Sequence, residues 1–470
     1  MGRGIRCCGV LAVSTPLVRH ETLQGWGRTS PSESTVYEPD SEFQVPAILE
    51  AWESDGGAQR RGSIARGLGR SYGDAAQNAG GAVVSSAALS RILELDRAAA
   101  TVRVEPGVSI EALLKFLVPR GFFPTVIPGT GIVSVGGGIG ADIHGKFRHG
   151  SFCDFVDSAT LVTPALGPMR ISAETNADVF WATAGGMGLT GVVTEATLRL
   201  HRIATSQMRV DTTRCRDIDD CMTAMMDDSR GERYSVAWID CLANGANLGR
   251  SILETAVHAT VGDLPAERAR DPLAYGAGLS VSAPPWMPNG LLNSWTVKAF
   301  NELWFRKSPK RPHRTTVSIP TFFHPLDMVK GWPSIYGRHG FVQYQFVVPY
   351  GHEHVVRIIL ERLSAAKCAS FLAVLKRFET SNAGLLSFPM PGWTLALDIP
   401  AMHPGLNKIL DAFDDLVLEA DGRVYLAKDA RVAPQRFAAM YPHLERWREV
   451  RARLDPNCAL QSDLSRRLGL

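Results

Sequence analysis

The sequence predicts an α+β protein of two domains, and three observations carry that expectation. At 470 residues the chain is long enough to bury two separate cores. Its first two hundred residues are Gly-rich and cut into short β-type runs. Its later half changes rhythm to strands and helices in a β-α-β-β-α-β order, the split unit in which two helices cover one face of an antiparallel sheet.

In chain order, residues 1–24 are expected to be disordered. Arg3 and Arg6 precede a weakly apolar stretch that Ser14, Thr15 and Pro16 interrupt, a poor secretory signal with no clear cleavage site. Strands are predicted at 82–85, 101–104 and 159–163, and the alternation over 193–200 predicts a half-buried strand. Ser109 is suited to cap a helix carrying Leu113, Leu114 and Leu117 on its buried stripe. Beyond residue 206, strands are predicted at 343–348, 370–378, 394–399 and 423–427, with helices at 353–365 and 406–418. A last amphipathic helix over 441–454 ends at Asp455-Pro456, where proline stops it. Residues 265–316 are expected to be a flexible loop. Trp286, Trp295, Phe300, Trp304 and Phe305 are followed there by Arg306, Lys307, Lys310, Arg311 and Arg314. That stretch reads either as a solvated surface loop or as a lid over a lipid-linked or phosphorylated substrate.

Composition excludes several classes. Hydrophobic residues at 45% and charged ones at 21% describe a globular enzyme rather than a disordered chain. A net charge of +3 argues against nucleic acid as a partner. The eight cysteines form no CxxC pair and no zinc spacing, so no metal is expected. No run reaches the ~18–20 apolar residues of a membrane-spanning helix.

Three glycine loops precede residue 195. The first, Ala65-Arg66-Gly67-Leu68-Gly69-Arg70-Ser71-Tyr72-Gly73-Asp74, begins like a nicotinamide fingerprint, but Tyr72 stands where its third glycine belongs. The second runs from Pro128-Gly129-Thr130 through Ser134-Val135-Gly136-Gly137-Gly138-Ile139-Gly140 to Ala141-Asp142-Ile143-His144-Gly145-Lys146. It ends in G-x-x-x-x-G-K followed by Phe147, which supplies no Mg²⁺ ligand, so an ATPase reading fails. The third is Gly185-Gly186-Met187-Gly188-Leu189-Thr190-Gly191. Bare main-chain amides suit an anion nest, and three such loops suit one long ligand, a flavin dinucleotide.

These loops, together with Tyr425-Leu426-Ala427-Lys428-Asp429 and the terminal Ser462–Leu468 segment, resemble the decaprenylphosphoryl-β-D-ribose 2′-oxidases. Those enzymes are the FAD subunits of a 2′-epimerase serving cell-wall arabinan, within the vanillyl-alcohol-oxidase (PCMH-type) flavoprotein superfamily. The resemblance runs from Gly25-Trp26-Gly27-Arg28 to the C-terminus. It implies a PCMH-type FAD-binding domain from residues 1–205, an inserted α+β substrate domain over 206–422, and a segment 423–470 returning to the first domain. It further implies a polyprenyl-phosphoryl ribose substrate and a separate NAD(P)H-dependent short-chain reductase as partner. The location implied is the cell envelope, periplasmic or peripheral at the inner membrane surface.

Carried over by position, the flavin is expected at Ala65, Arg66, Gly67, Leu68, Gly69, Arg70, Ser71, Tyr72, Gly73, Asp74 and Ala75. It is expected also at Gly129, Ser134, Val135, Gly136, Gly137, Ala141, Asp142, Ile143, His144, Val193 and Tyr425. Arg70 stands where relatives often tether the flavin through a histidine, so the FAD is expected to be non-covalent. Lys428 is the expected cation beside the flavin and substrate. His144 packs against the ring or hydrogen-bonds the hydroxyl, and Tyr72 is a second candidate for handling the proton. Lys146, Gln345 and Lys376 are expected to face the substrate, with Trp238, Phe323, Leu372, Val374 and Phe378 as either its apolar wall or plain core.

Two departures concern the pocket. Thr394 and Ala396 replace an Asn and a Cys that relatives can carry on a cavity strand, and Phe323 replaces a common Tyr. Two alternatives stay open. One is a sugar-lactone or alditol oxidase of the same superfamily, which tends to place His-Trp where Leu426-Ala427 stand here. The other is a non-catalytic flavin scaffold that binds lipid or a reductase.

Overall fold

A computed structural model describes residues 15–53, 61–227, 231, 233–276, 281–282, 293–368 and 370–470. The N-terminal part opens with strands β1 (Leu17–Leu23) and β2 (Ser32–Glu38), helix α1 (Val45–Glu53), and strands β3 (Ser63–Arg66) and β4 (Ala82–Ser85), giving a sheet of order β1-β2-β4-β3. β1 corrects the expected disorder of residues 15–24; residues 1–14 lie outside the described chain. Its side chains are mostly exposed, so core-seeking alternation is weak. It is held by an antiparallel ladder from Leu17↔Glu38 to Leu23↔Ser32 and by the Arg19–Glu38 ion pair.

The second sheet is built from β5 (Ile92–Asp96), β6 (Thr101–Val104), β7 (Phe122–Pro124), β8 (Val156–Thr163), β9 (Gly167–Ile171) and β10 (Val192–Arg202). Its order is β5-β6-β10-β8-β9, with β7 paired to the end of β10. Helix α2 (Ile110–Leu117) forms as expected: Ser109 accepts from the Ala112 N–H at 3.1 Å, and Leu113, Leu114 and Leu117 are fully buried. Helix α3 (Val135–Gly140) lies in the second glycine loop, capped by Ser134, and α4 (Ala177–Thr183) precedes the third.

Two copies of one topology follow. The first is β11 (Gln207–Cys215), α5 (Ile218–Met226), β12 (Tyr234–Ile239), β13 (Ser251–His258), helices α6 (Ala266–Ala269) and α7 (Ser294–Lys307), and β15 (His313–Ser318). A two-residue β14 (Val281–Ser282) pairs with β16 (Val329–Lys330), and α8 (Ile319–Phe323) leads into the second copy. That copy is β17 (Phe341–Pro349), α9 (Glu353–Ala365), β18 (Leu372–Phe378), β19 (Gly392–Pro400), α10 (Leu406–Glu419) and β20 (Arg423–Val424). The copies join edge to edge through β12 and β18 into one eight-stranded sheet, β15-β11-β13-β12-β18-β19-β17-β20. The β-α-β-β-α-β reading of the second copy holds.

The first copy was hidden by the stretch expected to be a loop. Its described part contains α6, α7 and β15; residues 277–280 and 283–292, with Trp286, lie outside the described chain. α7 buries only a narrow stripe at Val297 and Asn301, and β15 is a polar edge strand, so neither shows a strong apolar period. The strand expected over 423–427 stops at Val424, because the N–H groups of Lys428 and Asp429 turn back to the Tyr425 carbonyl at 2.9 and 3.0 Å. Helices α11 (Pro434–Met440), α12 (Leu444–Leu454) and α13 (Asp463–Leu468) complete the chain, α12 beginning three residues later than expected.

Candidate active site

The glycine loops meet at distances that no side chain tolerates. A Cβ on Gly67 would fall 2.1 Å from the Ser134 Oγ, and one on Gly136 2.8 Å from the Pro106 Cβ. The second and third loops are joined by the Met187 N–H to the Gly140 carbonyl at 2.8 Å. Gly25-Trp26-Gly27 clamps the first loop from outside: the N–H groups of Trp26 and Gly27 donate to the Ser71 and Tyr72 carbonyls at 2.8 and 3.0 Å.

The C-terminal segment closes on the same loop. Tyr72 N–H donates to the Ala427 carbonyl at 2.9 Å, and a Cβ on Gly73 would fall 2.0 Å from the Asp429 carbonyl oxygen. Arg467 of α13 fastens this contact, bonding Asp74 at 2.8 and 2.9 Å and Asp429 at 2.9 Å. Asp429 is therefore the partner of Arg467, which leaves Lys428 to the interior.

Facing these loops is one side of the eight-stranded sheet. Strand alternation and register align three rows there: Leu372–Asp398–Gln343, Trp238–Val374–Ala396–Gln345, and Lys376–Thr394–Val347. The expected residues Trp238, Leu372, Val374, Lys376, Thr394, Ala396 and Gln345 thus share one face. Phe378 ends it, buried against the His144 ring at 5.0 Å. Phe323 takes the second of its two expected readings, lying in the core between Phe123 and Tyr234 at 5.3 and 5.0 Å. Successive residues of a helix point about 100° apart, and it is Phe322 that meets Lys146, through its carbonyl and its ring at 3.9 Å.

Cations converge on this face. Burial lowers the pKa of Lys146 to about 8, partly opposed by Glu254. It lowers Lys376 to about 7, with Lys146 adding to the effect. Lys428 is likewise brought down to about 7 by burial, Asp398 opposing and Lys376 reinforcing. Its Nζ sits 3.7 Å from the centre of the Tyr72 ring. Burial first, then Lys376 and Lys428, keep His144 far below the usual imidazole range, so it is neutral. The Gln345 amide meets His144 Nε2 at 2.8 Å and Thr394 Oγ1 at 3.1 Å. With that amide donating, His144 carries its proton on Nδ1, which has no hydrogen-bond partner among the described residues.

Asp398 is the residue that sequence reasoning missed. Fully buried on β19, it accepts from Gln343, from Trp332 Nε1 at 3.2 Å and from the Tyr336 hydroxyl at 3.4 Å. Burial raises its pKa to about 6 against the pull of those donors and of Lys428. The signal was present: a carboxylate within Leu395-Ala396-Leu397-Asp398-Ile399 demands partners, as Lys376 does on its own strand. Tyr72 is also buried, and burial with Asp398 pushes its pKa up, so its phenol stays protonated.

The residues fit a flavin dinucleotide. The N–H groups of Gly67, Leu68, Gly69, Arg70 and Ser71 have no hydrogen-bond partner among the described residues. Gly129 has open space where a Cβ would stand. The buried Thr194 hydroxyl, at the β10 bulge beside Val193, and His144 Nδ1 are polar atoms without a partner among the described residues. Three expected ligand side chains are committed elsewhere. Asp74 binds Arg467, and Arg66 reaches the Ala76 and Gln24 carbonyls. Asp142 accepts from Ser151, Asn382, Ser387 and the Cys153 N–H. Arg70 lies 4.2 Å from the Trp26 ring, and Tyr425 donates its hydroxyl to the Ala141 carbonyl at 2.9 Å. Among the described residues no cluster suits a metal ion.

Fold and site together define an FAD-dependent oxidoreductase with a PCMH-type FAD-binding domain. A family described as an FAD binding domain matches residues 34–171, and one described as D-arabinono-1,4-lactone oxidase matches residues 399–468. The chain belongs to the decaprenylphosphoryl-β-D-ribose oxidase family. It is 40% identical to the decaprenylphosphoryl-beta-D-ribose oxidase of Mycolicibacterium smegmatis, over 95% of this chain and 97% of that protein. An uncharacterized Streptomyces coelicolor protein is 39% identical over 77% of this chain and all of its own length. Mouse L-gulonolactone oxidase is more distant, 28% identical over 39% of this chain and 42% of its own.

Proposed function

We propose that this protein oxidises the 2′-hydroxyl of decaprenylphosphoryl-β-D-ribose to the 2′-ketone, the first half of an epimerisation toward the arabinose lipid of cell-wall arabinan. The observation that carries this reading is the excess of cations, Lys146, Lys376 and Lys428, facing glycine loops suited to FAD. A low-dielectric pocket with that charge suits a substrate that brings its own phosphate. The full-length identity to the M. smegmatis oxidase supports the same substrate class.

Bound FAD, held without a covalent tether because Arg70 replaces the tethering histidine, supplies the acceptor for the hydride leaving C2′. The remaining work belongs to the chain. Asp398, ionised and beside Lys428, takes the hydroxyl proton as the C–H bond breaks. Lys428, protonated, stabilises the charge that develops on the oxygen. Neutral His144 offers its Nδ1–H to the sugar, while Gln345 and Thr394 hold the imidazole in that tautomer. Lys146 and Lys376 neutralise the phosphate. In this reading residues 1–205 and 423–470 form the FAD domain around a substrate domain of residues 206–422. A separate NAD(P)H-dependent reductase returns the hydride, and the protein works at the membrane surface of the cell envelope.

Anaerobic mixing with polyprenyl-phosphoryl ribose is expected to bleach the oxidised flavin band, whereas free aldonolactones and alditols leave it. Lys428→Ala should slow bleaching on the order of 10²–10³-fold while flavin stays bound. Faster reduction by an aldonolactone would make this a lactone oxidase. Failure of every sugar donor would leave a flavin scaffold.

A further inference from the structure

We propose that helix α7 docks this protein on an anionic phospholipid surface, an inference that rests on the reading above only for which lipid is drawn from that surface. The helix is held to the body by one side. Val297 and Asn301 are buried, Asn301 donates to Asp240 at 2.7 Å, and Arg250 bridges Asp240 and Glu302 at 2.8 and 2.6 Å. The other side carries Trp295 and Leu303, eight residues apart on one stripe, 82% and 69% exposed, while Trp304, seven residues after Val297, borders the anchored side and is 43% exposed. Large apolar groups gathered on one exposed stripe of a helix mark an interaction surface.

Charge identifies the occupant. Lys298, Arg306 and Lys307 on the helix, and Lys310 and Arg311 just beyond, are exposed; Arg306 pairs with Glu302, the one acid of the helix, and the lysines with Arg311 leave an excess of positive charge. Lys307 lies over the Trp304 ring at 6.0 Å. Interfaces between proteins are depleted of lysine, whereas tryptophan flanked by lysine and arginine matches the headgroup level of an anionic leaflet. At 14 residues the helix is about 21 Å long, short of the roughly 30 Å of a hydrocarbon core, so it lies in the surface plane. Among the described residues no helix is long and apolar enough to cross.

The docked face is continuous with the site. Phe300 stacks on Trp304 at 6.0 Å and packs on Phe371 at 4.8 Å; Phe371 meets Trp332 at 5.7 Å, and Trp332 bonds Asp398. A lipid whose tail stays in the bilayer would reach Lys428 along this aromatic wall.

The test is sedimentation of the holoenzyme with vesicles of phosphatidylglycerol and phosphatidylcholine against phosphatidylcholine alone. Binding is expected only with the anionic vesicles, weakening with salt. Trp295→Glu combined with Leu303→Glu should lower partitioning on the order of a hundredfold, since two apolar anchors are lost. Lys307→Glu with Lys310→Glu should abolish the preference for anionic lipid. Flavin content, and flavin reduction by a short-chain substrate in solution, should be unchanged in all variants, which separates this proposal from the assignment of substrate. Equal binding to both vesicle types, binding untouched by the variants, or a self-association that Trp295→Glu/Leu303→Glu disrupts with no vesicle binding would each overturn it.

Discussion

Asp398→Asn isolates the buried carboxylate with little change of shape. Asn can keep accepting from Trp332 and Tyr336, and the Gln343 amide can turn to face it. In the native protein flavin reduction needs Asp398 ionised and Lys428 protonated. With pKa values of about 6 and about 7, its pH profile should be a narrow bell whose limbs belong to the coupled pair. The substitution removes the acid limb. The Asp398 charge holds the Lys428 pKa up against burial, so its loss should move the alkaline limb below pH 7. The maximum rate should fall by about 10²–10⁴-fold, the usual contribution of a proton acceptor. Stability should move the other way. A carboxyl whose folded pKa is raised binds its proton more tightly folded than unfolded, so stability falls as pH climbs from the unfolded value of 3.8 through about 6. Two pK units are about 3 kcal/mol. At pH 8 the substituted amide carries no such penalty, and Lys428 is neutral, so the variant should melt no lower than the native protein. The measurements are stopped-flow flavin bleaching across pH and thermal melting at pH 8. An unshifted bell, or a loss of rate matched by a lower melting temperature, would refute the reasoning.

Arg467→Met leaves Asp74 and Asp429, both nearly buried, without their cation. A loss of about 3–5 kcal/mol is expected, seen as a lower melting temperature and reduced flavin content; an unchanged melt would deny the anchoring role. Because Arg70 occupies the tethering position, acid precipitation should release all the yellow pigment to the supernatant. Pigment in the pellet would contradict non-covalent binding.

Much of the site was legible because its signals are local. The Ser109 cap, the apolar stripe of α2 and the glycines of Ala65–Asp74 act within a few residues of themselves. Lys376 declares itself by being a cation in an apolar strand. Legibility failed where stability comes from partners far along the chain. β1 has little apolar pattern and exists through its ladder to β2. α7 and β15 read as loop because one is anchored by Asn301 and Arg250 and the other by β11. Phe322 and Phe323 were indistinguishable as candidates, since only the position of α8 decides which of two adjacent rings meets Lys146.

Local chemistry alone was enough to specify an α+β chain with bare-amide loops for a dinucleotide and a split β-α-β-β-α-β unit, while the lysine near the C-terminus was singled out only by the family resemblance. Which charges meet was settled only by the folded chain. Lys146 follows a glycine loop, Lys376 and Asp398 stand on neighbouring strands, and Lys428 arrives from the far end, brought to Tyr72 by Arg467 through Asp74 and Asp429. Coulomb energies and desolvation depend on separation in space and on exclusion of water, and residue spacing along a chain encodes neither.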